Sequence, residues 1–264
     1  MLFLYRSERA DGLVTMLGDL LVIPLDDVMA PEVVAVPTRG IERWLTQQLS
    51  SRLGANEGRS DGVCANIEFP FPGTLIGNAL VAGSGIDPQT DPWATDRSVW
   101  PLLQVVESSL EQPWLSSFAA HLRNAAPAGE ERRFSSVRHM ADLFDRYGVH
   151  RPRMVREWAQ GEDGGVGSDG SWQPSLWREL RRHIGSPSPA ERLPGACALL
   201  REGAMVPGLG ERLSLFGLTS LPSSYVEVLG ALSSVRDVHL FLLHPSLQSE
   251  RESHVAHPSI AVDR

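Results

Sequence analysis

The sequence predicts an α/β protein in which a parallel sheet is interrupted by a helical insertion. Short apolar runs near both ends of the 264-residue chain are typical of strands buried on both faces. The first of these runs alternate with amphipathic segments, and strand–helix–strand order is typical of a parallel sheet. The middle of the chain instead has apolar residues at helical spacing. We therefore expect one sheet built from the two ends of the chain, with a helical part between them.

Three strands are predicted in the first part of the chain. They are Leu2–Tyr5, Glu32–Val36 and Asn66–Phe69. Between the second and the third, apolar residues recur at spacings of three and four and predict one helix face: Ile41, Trp44, Leu45, Leu49 and Leu53.

The helical pattern extends from about residue 94 to residue 204. Its clearest apolar face is Val137, Met140, Ala141, Phe144 and Tyr147, and residues 161–170 form a glycine-rich loop. Strands at Arg212–Leu218 and Val238–Leu243 follow, with a helix at Ser223–Val235 between them. We expect residues 1–93 and 205–247 to form the α/β domain, residues 94–204 a helical subdomain, and residues 248–264 a disordered tail.

Charge and composition restrict the function. The net charge of −8 disfavours wrapping of nucleic acid by the whole surface. Seven arginines nevertheless stand against two aspartates between Arg132 and Arg156, so this stretch could bind a phosphate backbone; a solvated helix face would explain it equally well. The two cysteines and scattered histidines predict no metal site, and no cofactor is expected. Without a signal peptide or a membrane-length apolar segment, the expected location is the cytoplasm.

The chain contains no lysine, since all 24 basic residues are arginine. A phosphate-binding loop of the Walker type needs a lysine beside the β- and γ-phosphates, and arginine does not replace it. The residues after the first strand, YRSERAD, also lack the glycines that would cradle a phosphate. We therefore predict no nucleotide hydrolysis, no lysine-dependent nuclease chemistry and no intrinsic catalytic residues.

Five segments, in this order, resemble the RecC family, the gamma subunit of exodeoxyribonuclease V. They are VPTRGIERWLTQQLSSRLG, ANIEFPFPGTLI, ADLFDRYGVHRP, WQPSLW and FGLTSLPSSYVEVLGAL. The resemblance covers roughly residues 1–246 and corresponds to the N-terminal portion of that family.

This resemblance implies a superfamily 1 helicase-like lobe with a degenerate nucleotide site, and the helical insertion as its second subdomain. It also implies a non-catalytic DNA-binding subunit that channels single strands and scans one of them for a Chi-like signal during double-strand break repair by homologous recombination. RecB-like and RecD-like partners would supply ATP hydrolysis and nuclease activity, and the ligands would be single-stranded DNA and duplex ends.

The resemblance also assigns candidate DNA-binding residues. Asp142, Leu143, Asp145 and Arg151 retain the residue type of the family, and Arg146 is the neighbouring polar position. The chain departs from the enteric members after the second strand, where Pro37, Arg39 and Arg43 replace amide or hydroxyl side chains. Phe71 replaces an aliphatic residue, and Gly77 replaces an aromatic residue. Because base readout depends on such donors and acceptors, the enteric Chi sequence need not be the one recognised.

Two other functions remain open at the level of the sequence. A self-contained α/β enzyme could use paired carboxylates such as Asp26 with Asp27, or Asp142 with Asp145. Ion pairing with neighbouring arginines on a helix surface is the simpler interpretation of the second pair. A truncated, non-functional remnant is the other alternative.

Overall fold

A computed structural model describes residues 1–54, 62–123, 129–167 and 170–244, and its strands form one sheet in which every pairing is parallel. In the order β1-β5-β4-β2-β3, the five strands come from both ends of the chain. This confirms the α/β class and the prediction that the strands share a sheet. The strands are β1 (Leu2–Ser7), β2 (Glu32–Ala35), β3 (Ile67–Glu68), β4 (Arg212–Leu218) and β5 (Asp237–Leu243).

Helices connect the strands and make up the middle of the chain. No strand lies between β3 and β4 in the residues that the structure describes. The helices are α1 (Ala10–Leu21), α2 (Arg39–Ser50), α3 (Pro72–Ser84), α4 (Thr95–Ser109), α5 (Ser116–Arg123), α6 (Gly129–His150), α7 (Pro152–Ala159), α8 (Trp172–Ile184), α9 (Pro189–Arg201) and α10 (Ser223–Leu232), with a 3₁₀ turn at Pro113–Leu115.

The sheet is buried on both of its faces, which explains why its strands are continuous apolar runs. On one face, α1 and α2 pack against β2, β4 and β5. The helices contribute Leu13, Leu17, Leu45 and Leu49 to this core, and the strands contribute Val34, Phe216 and Phe241. Alternate strand residues point to the opposite face, and these are buried as well: Val33, Ala35, Leu213, Leu215 and Leu240.

The chain divides into two compact units. The described residues of the first lie within Met1–Gly83 and Cys197–Leu221 and from Glu227 onward, and they include the sheet. The second comprises Ser84–Ala196 and Pro222–Val226.

The core of the second unit centres on Trp158, which is fully buried. Its ring makes edge contacts with Phe144 and Trp177, at centroid distances of 6.2 and 6.1 Å. The indole N–H donates to the carbonyl oxygen of Asp163 over 3.0 Å, so the polar end of the buried side chain is satisfied.

Two predicted segments fall wholly or partly outside the described residues. The tail at 248–264 lies outside them, and so do residues 168 and 169 of the glycine-rich loop. In the parts of the chain that the structure covers, no helix combines the length and the apolar character that a membrane span requires.

Candidate nucleic-acid interface

The first group of predicted site residues lies at the carboxyl edge of the sheet, the edge at which parallel sheets commonly bind ligands. The turn between β2 and α2 is shaped by Thr38, whose hydroxyl accepts a hydrogen bond from the Ile41 backbone N–H at 3.2 Å. Such a cap satisfies one of the free N–H groups that begin a helix. Because the helix begins at this point, Arg39 and Arg43 stand in its first two turns.

Arg39 and Phe71 are in contact. The guanidinium carbon of Arg39 lies 5.2 Å from the centroid of the Phe71 ring, a cation–π geometry, and Phe71 is 40% exposed. The Val36 N–H donates to the Pro70 carbonyl oxygen over 3.0 Å, which joins the ends of β2 and β3 and brings the two turns together. Arg39 also forms an ion pair with Glu42 at 2.5 Å. The arrangement offers a positive charge beside an exposed aromatic face.

Arg43 lies one helical turn beyond Arg39. It is exposed, and it forms no ion pair with any residue in the described part of the chain. Because Arg39 and Arg43 are four residues apart, they lie on the same face of α2. This face therefore carries two cationic groups, of which Arg39 contacts Phe71.

The second group of site residues lies in the second unit, on α6 and at the start of α7. As predicted, the apolar face of α6 is core, with Met140, Ala141 and Phe144 at most 5% exposed. Tyr147 is half-buried and donates its hydroxyl hydrogen to Gln173 Oε1 at 3.0 Å. Leu143 is also half-buried against this core, so only part of its side chain is available to a ligand.

The polar face of α6 carries charges that have no ion-pair partner. Asp145 and Arg146 are exposed and Asp142 is half-buried, and none of them has a partner within 4.0 Å among the described residues. The interpretation that Asp142 and Asp145 are held in surface ion pairs is therefore wrong. Exposed pairs contribute only about 0–1 kcal/mol, and this often does not offset the loss of side-chain freedom.

Arg151 stands at the amino-terminal boundary of α7, directly before Pro152. Its backbone N–H donates to the Tyr147 carbonyl oxygen at 2.8 Å, and its side chain is exposed and caps no helix. It forms no ion pair with Asp142 or Asp145. Its backbone is held by this hydrogen bond, whereas its guanidinium has no ion-pair partner among the residues that the structure describes.

The electrostatic environment of Asp145 is unusual for a surface carboxylate. Neighbouring protein displaces water around it and raises the pKa of its carboxyl group, the Asp142 carboxylate raises this pKa further, and Arg146 opposes both effects. The ionised form of Asp145 is thus poorly compensated by the chain itself, and it would gain from a hydrogen-bond donor supplied by a ligand.

Tyr225 is a candidate that sequence analysis assigned no role. It lies in the first turn of α10, in the part of that helix that belongs to the second unit, and it is half-buried. Burial raises the pKa of the Tyr225 hydroxyl, and the negative charge of Asp145 raises it further. The signal available in the sequence was its position in the FGLTSLPSSYVEVLGAL segment, just after a strand end and a proline.

Comparisons with known proteins place the chain among relatives of known name. The family model of the RecC N-terminal domain matches residues 2–257. The chain is 43% identical over 251 residues to RecBCD enzyme subunit RecC of Mycobacterium tuberculosis (strain CDC 1551 / Oshkosh), 93% of this chain and 22% of that protein. The corresponding subunit of Mycolicibacterium smegmatis is 41% identical over 93% of the chain and 21% of its own length.

A more distant relative shows the same coverage. RecBCD enzyme subunit RecC of Escherichia coli is 28% identical over 253 residues, which are 93% of this chain and 22% of that protein. The chain therefore spans about a fifth of the length of the curated relatives it matches. The ordered segments, the parallel sheet and the match over residues 2–257 lead to one conclusion: this chain belongs to the RecC N-terminal domain family.

Proposed function

We propose that the chain is a non-catalytic DNA-binding part of a RecBCD-type helicase and nuclease that repairs double-strand breaks by homologous recombination. Its curated relatives bear the name of a RecBCD enzyme subunit. RecB-like and RecD-like partners would supply ATP hydrolysis and nuclease chemistry. The chain itself would contact single-stranded DNA and duplex ends.

The observation that carries this proposal is a set of charged side chains, where α6 ends and α7 begins, that form no ion pair within the described part of the chain. Arg146 and Arg151 are exposed without ion-pair partners in the described chain, and arginines of this kind can neutralise phosphates. Asp142 and Asp145 lie beside them and can accept hydrogen bonds from base amino groups. Phosphate contacts position a strand and base contacts specify its sequence, so this surface holds the groups needed for both.

The turn after β1 supports a helicase-like lobe without a working nucleotide site. At the position of a phosphate loop, the Ser7 hydroxyl accepts a hydrogen bond from the Arg9 backbone N–H over 3.2 Å, so this donor is already used. Arg9 pairs with Asp11 at 2.7 Å, and a Cβ on Gly12 would lie 2.5 Å from the Ser7 hydroxyl oxygen. A triphosphate would meet occupied donors, two acidic side chains (Glu8 and Asp11) and no lysine.

Scanning for a Chi-like signal is the finer part of the proposal. Arg39 over Phe71, with Arg43 beyond it, provides an aromatic face and guanidinium donors that could contact bases or phosphates as a strand passes. Their residue types differ from those implied for enteric members, so we propose a recognised sequence that differs from the enteric one.

Binding of single-stranded DNA by an arginine variant tests the proposal. In the complex assembled with RecB-like and RecD-like subunits, Arg151→Ala should weaken strand contact by about 1–3 kcal/mol if the guanidinium meets a base edge. If it meets only phosphate, the loss should be nearly independent of sequence, with a shallower dependence on salt.

A neighbouring arginine provides the matched control. Arg153 is also exposed, but it is not one of the candidate DNA-binding residues and forms an ion pair with Glu157 at 2.9 Å, so Arg153→Ala should leave strand binding nearly unchanged. Thermal unfolding of both variants separates function from structure. Unchanged DNA binding by Arg151→Ala, together with a lower melting temperature, would show that Arg151 only stabilises the helix boundary.

A further inference from the structure

An exposed tryptophan and a partly buried phenylalanine form an aromatic pair in the second unit, apart from the candidate DNA-binding residues. Trp100 of α4 is 58% exposed, and its ring centroid lies 5.4 Å from that of Phe134 on α6, with the ring planes at 42°. Phe134 packs partly against the buried core of the unit. The indole N–H of Trp100 forms no hydrogen bond with the residues that the structure describes. A rigid aromatic ring is thus held by a partly buried neighbour while most of its own surface stays in solvent.

An exposed arginine accompanies each member of this pair along its own helix. Arg97 precedes Trp100 by three residues on α4, and Arg138 follows Phe134 by four on α6; at these spacings each lies on the same helix face as its aromatic neighbour. Both arginines are exposed, and neither has an ion-pair partner within the described chain. Arg133 lies 3.9 Å from Glu107, which compensates part of its charge.

Carboxylates lie on these helix faces as well, and Asp142 and Asp145 continue the side of α6 that begins at Phe134. Asp96 and Glu107 are the exposed carboxylates of α4 among the residues described. Pro101 adds an acceptor to the same surface, because a proline within a helix has no N–H to donate to the carbonyl oxygen four residues earlier, that of Arg97. The surface around Trp100 therefore combines an aromatic face, cationic side chains and a backbone carbonyl oxygen that receives no hydrogen bond from Pro101.

Helical spacing connects the aromatic pair to the charged end of α6. Phe134, Arg138, Asp142 and Asp145 follow one another at spacings of four, four and three residues, which places them along one side of the helix. The rise of about 1.5 Å per residue separates the first and last of them by about 16 Å. A single strand that contacts Asp142 and Asp145 could therefore reach Trp100 by following this side of α6.

We propose that Trp100, braced by Phe134, is a base-stacking site for single-stranded DNA. The inference deepens the proposed function, on which it rests, by adding a contact at the far end of the α6 surface. Aromatic faces beside cationic side chains are the usual composition of single-strand binding surfaces, since every base can stack and the phosphates neutralise the cations. The neighbouring arginines fit the phosphates of a strand, and we therefore commit to a nucleic acid rather than a protein as the occupant.

Binding of a fluorescently labelled oligothymidylate to the full chain, measured by anisotropy, tests the site. Trp100→Ala should weaken binding by about fivefold or more, the usual effect of removing one stacked base. Trp100→Phe should retain most of the affinity because a phenyl ring still stacks. Met205→Ala, which removes an apolar side chain that is 91% exposed in the first unit, should bind as the unsubstituted chain does.

An oligonucleotide that lacks bases makes the test specific for stacking. Trp100→Ala and the unsubstituted chain should bind this abasic strand equally, because only phosphate contacts remain. If Trp100→Ala binds the ordinary strand as tightly as the unsubstituted chain while Arg151→Ala binds it less tightly, the stacking site is refuted and the proposed function stands. If the unsubstituted chain and its assembled complex both fail to bind single strands, the proposed function itself fails. Loss of partner assembly with unchanged strand binding in Trp100→Ala would instead make this surface a protein interface, against the proposal.

Discussion

Acid should destabilise the first unit through His239, which lies in β5 between β1 and β4. The residue is 4% exposed, and its imidazole stacks on Phe3 at a centroid distance of 4.6 Å and an interplanar angle of 8°. Nδ1 shares a hydrogen bond of 3.1 Å with the Tyr5 hydroxyl, while Nε2 has no partner within the part of the chain that the structure describes. A proton added to this ring would create a buried charge with one hydrogen-bond partner at most.

The direction and size of the effect follow from the pKa of His239. Burial lowers this pKa from 6.5 to about 4; Arg212 and the N-terminal amine lower it further, and Asp237 partly opposes them. As the pH falls, the histidine of the unfolded chain takes up its proton first. The contribution of His239 to the free energy of unfolding is therefore fully present above about pH 6.5 and is lost progressively toward pH 4. The difference in pKa corresponds to at most about 3 kcal/mol, at 1.36 kcal/mol per pH unit.

Urea unfolding between about pH 6.5 and pH 4 measures this contribution. The variant His239→Phe keeps an aromatic ring that can stack on Phe3, but this ring cannot titrate. Over this pH range the unsubstituted chain should lose up to about 3 kcal/mol more unfolding free energy than His239→Phe loses. Replacement of the exposed His139 by glutamine is the control and should keep the original dependence. An equal loss of stability in His239→Phe and the unsubstituted chain would refute the reasoning.

Three further predictions concern charge and nucleotide. Glu32→Ala removes the carboxylate that pairs with the buried guanidinium of Arg212, and it should lower the free energy of unfolding by about 3–5 kcal/mol. Glu42→Ala breaks the exposed pair with Arg39 and should lower it by only about 0–1 kcal/mol. Equal shifts of the urea midpoint would contradict this. Asp145→Asn should raise the melting temperature at neutral pH, because the raised pKa of Asp145 means that its ionised form is disfavoured in the folded state. This gain should shrink at acidic pH, where the aspartate of the unsubstituted chain becomes protonated. A lower melting temperature of Asp145→Asn at neutral pH would count against the prediction. Calorimetry should detect no ATP binding of micromolar affinity, and a saturable heat signal at that concentration would show a working nucleotide site.

Much of the sheet could be predicted because its strands are buried on both faces. The run Arg212–Leu218 has the bounds of β4, and the strand ends near Leu2, Glu32 and Leu243 are also close to those observed. The burial of Arg212 could not be predicted from the run itself. It depends on Glu32 of the neighbouring strand and on carbonyl oxygens of Leu20 and Ile23, which only the folded chain brings together.

The candidate site was predictable in its residues more than in its contacts. The apolar spacing of α6 correctly placed Met140 and Phe144 in the core, because one helix face must be buried. The contact between Arg39 and Phe71 depends on the pairing of β2 with β3, which residue spacing alone does not reveal. Asp142 forms none of the expected ion pairs in the described segments, because surface attraction is too weak to fix flexible side chains.

The most direct test is a crosslink between the α6 surface and a DNA strand in the assembled machine. A photoreactive amino acid would replace Arg151 in the chain, which would then be combined with RecB-like and RecD-like subunits and a duplex end. We predict a crosslink to single-stranded DNA once ATP drives unwinding, and none from the same group at Met205, which is also exposed but lies in the first unit. Assembly of the complex without any crosslink from position 151 would contradict the account.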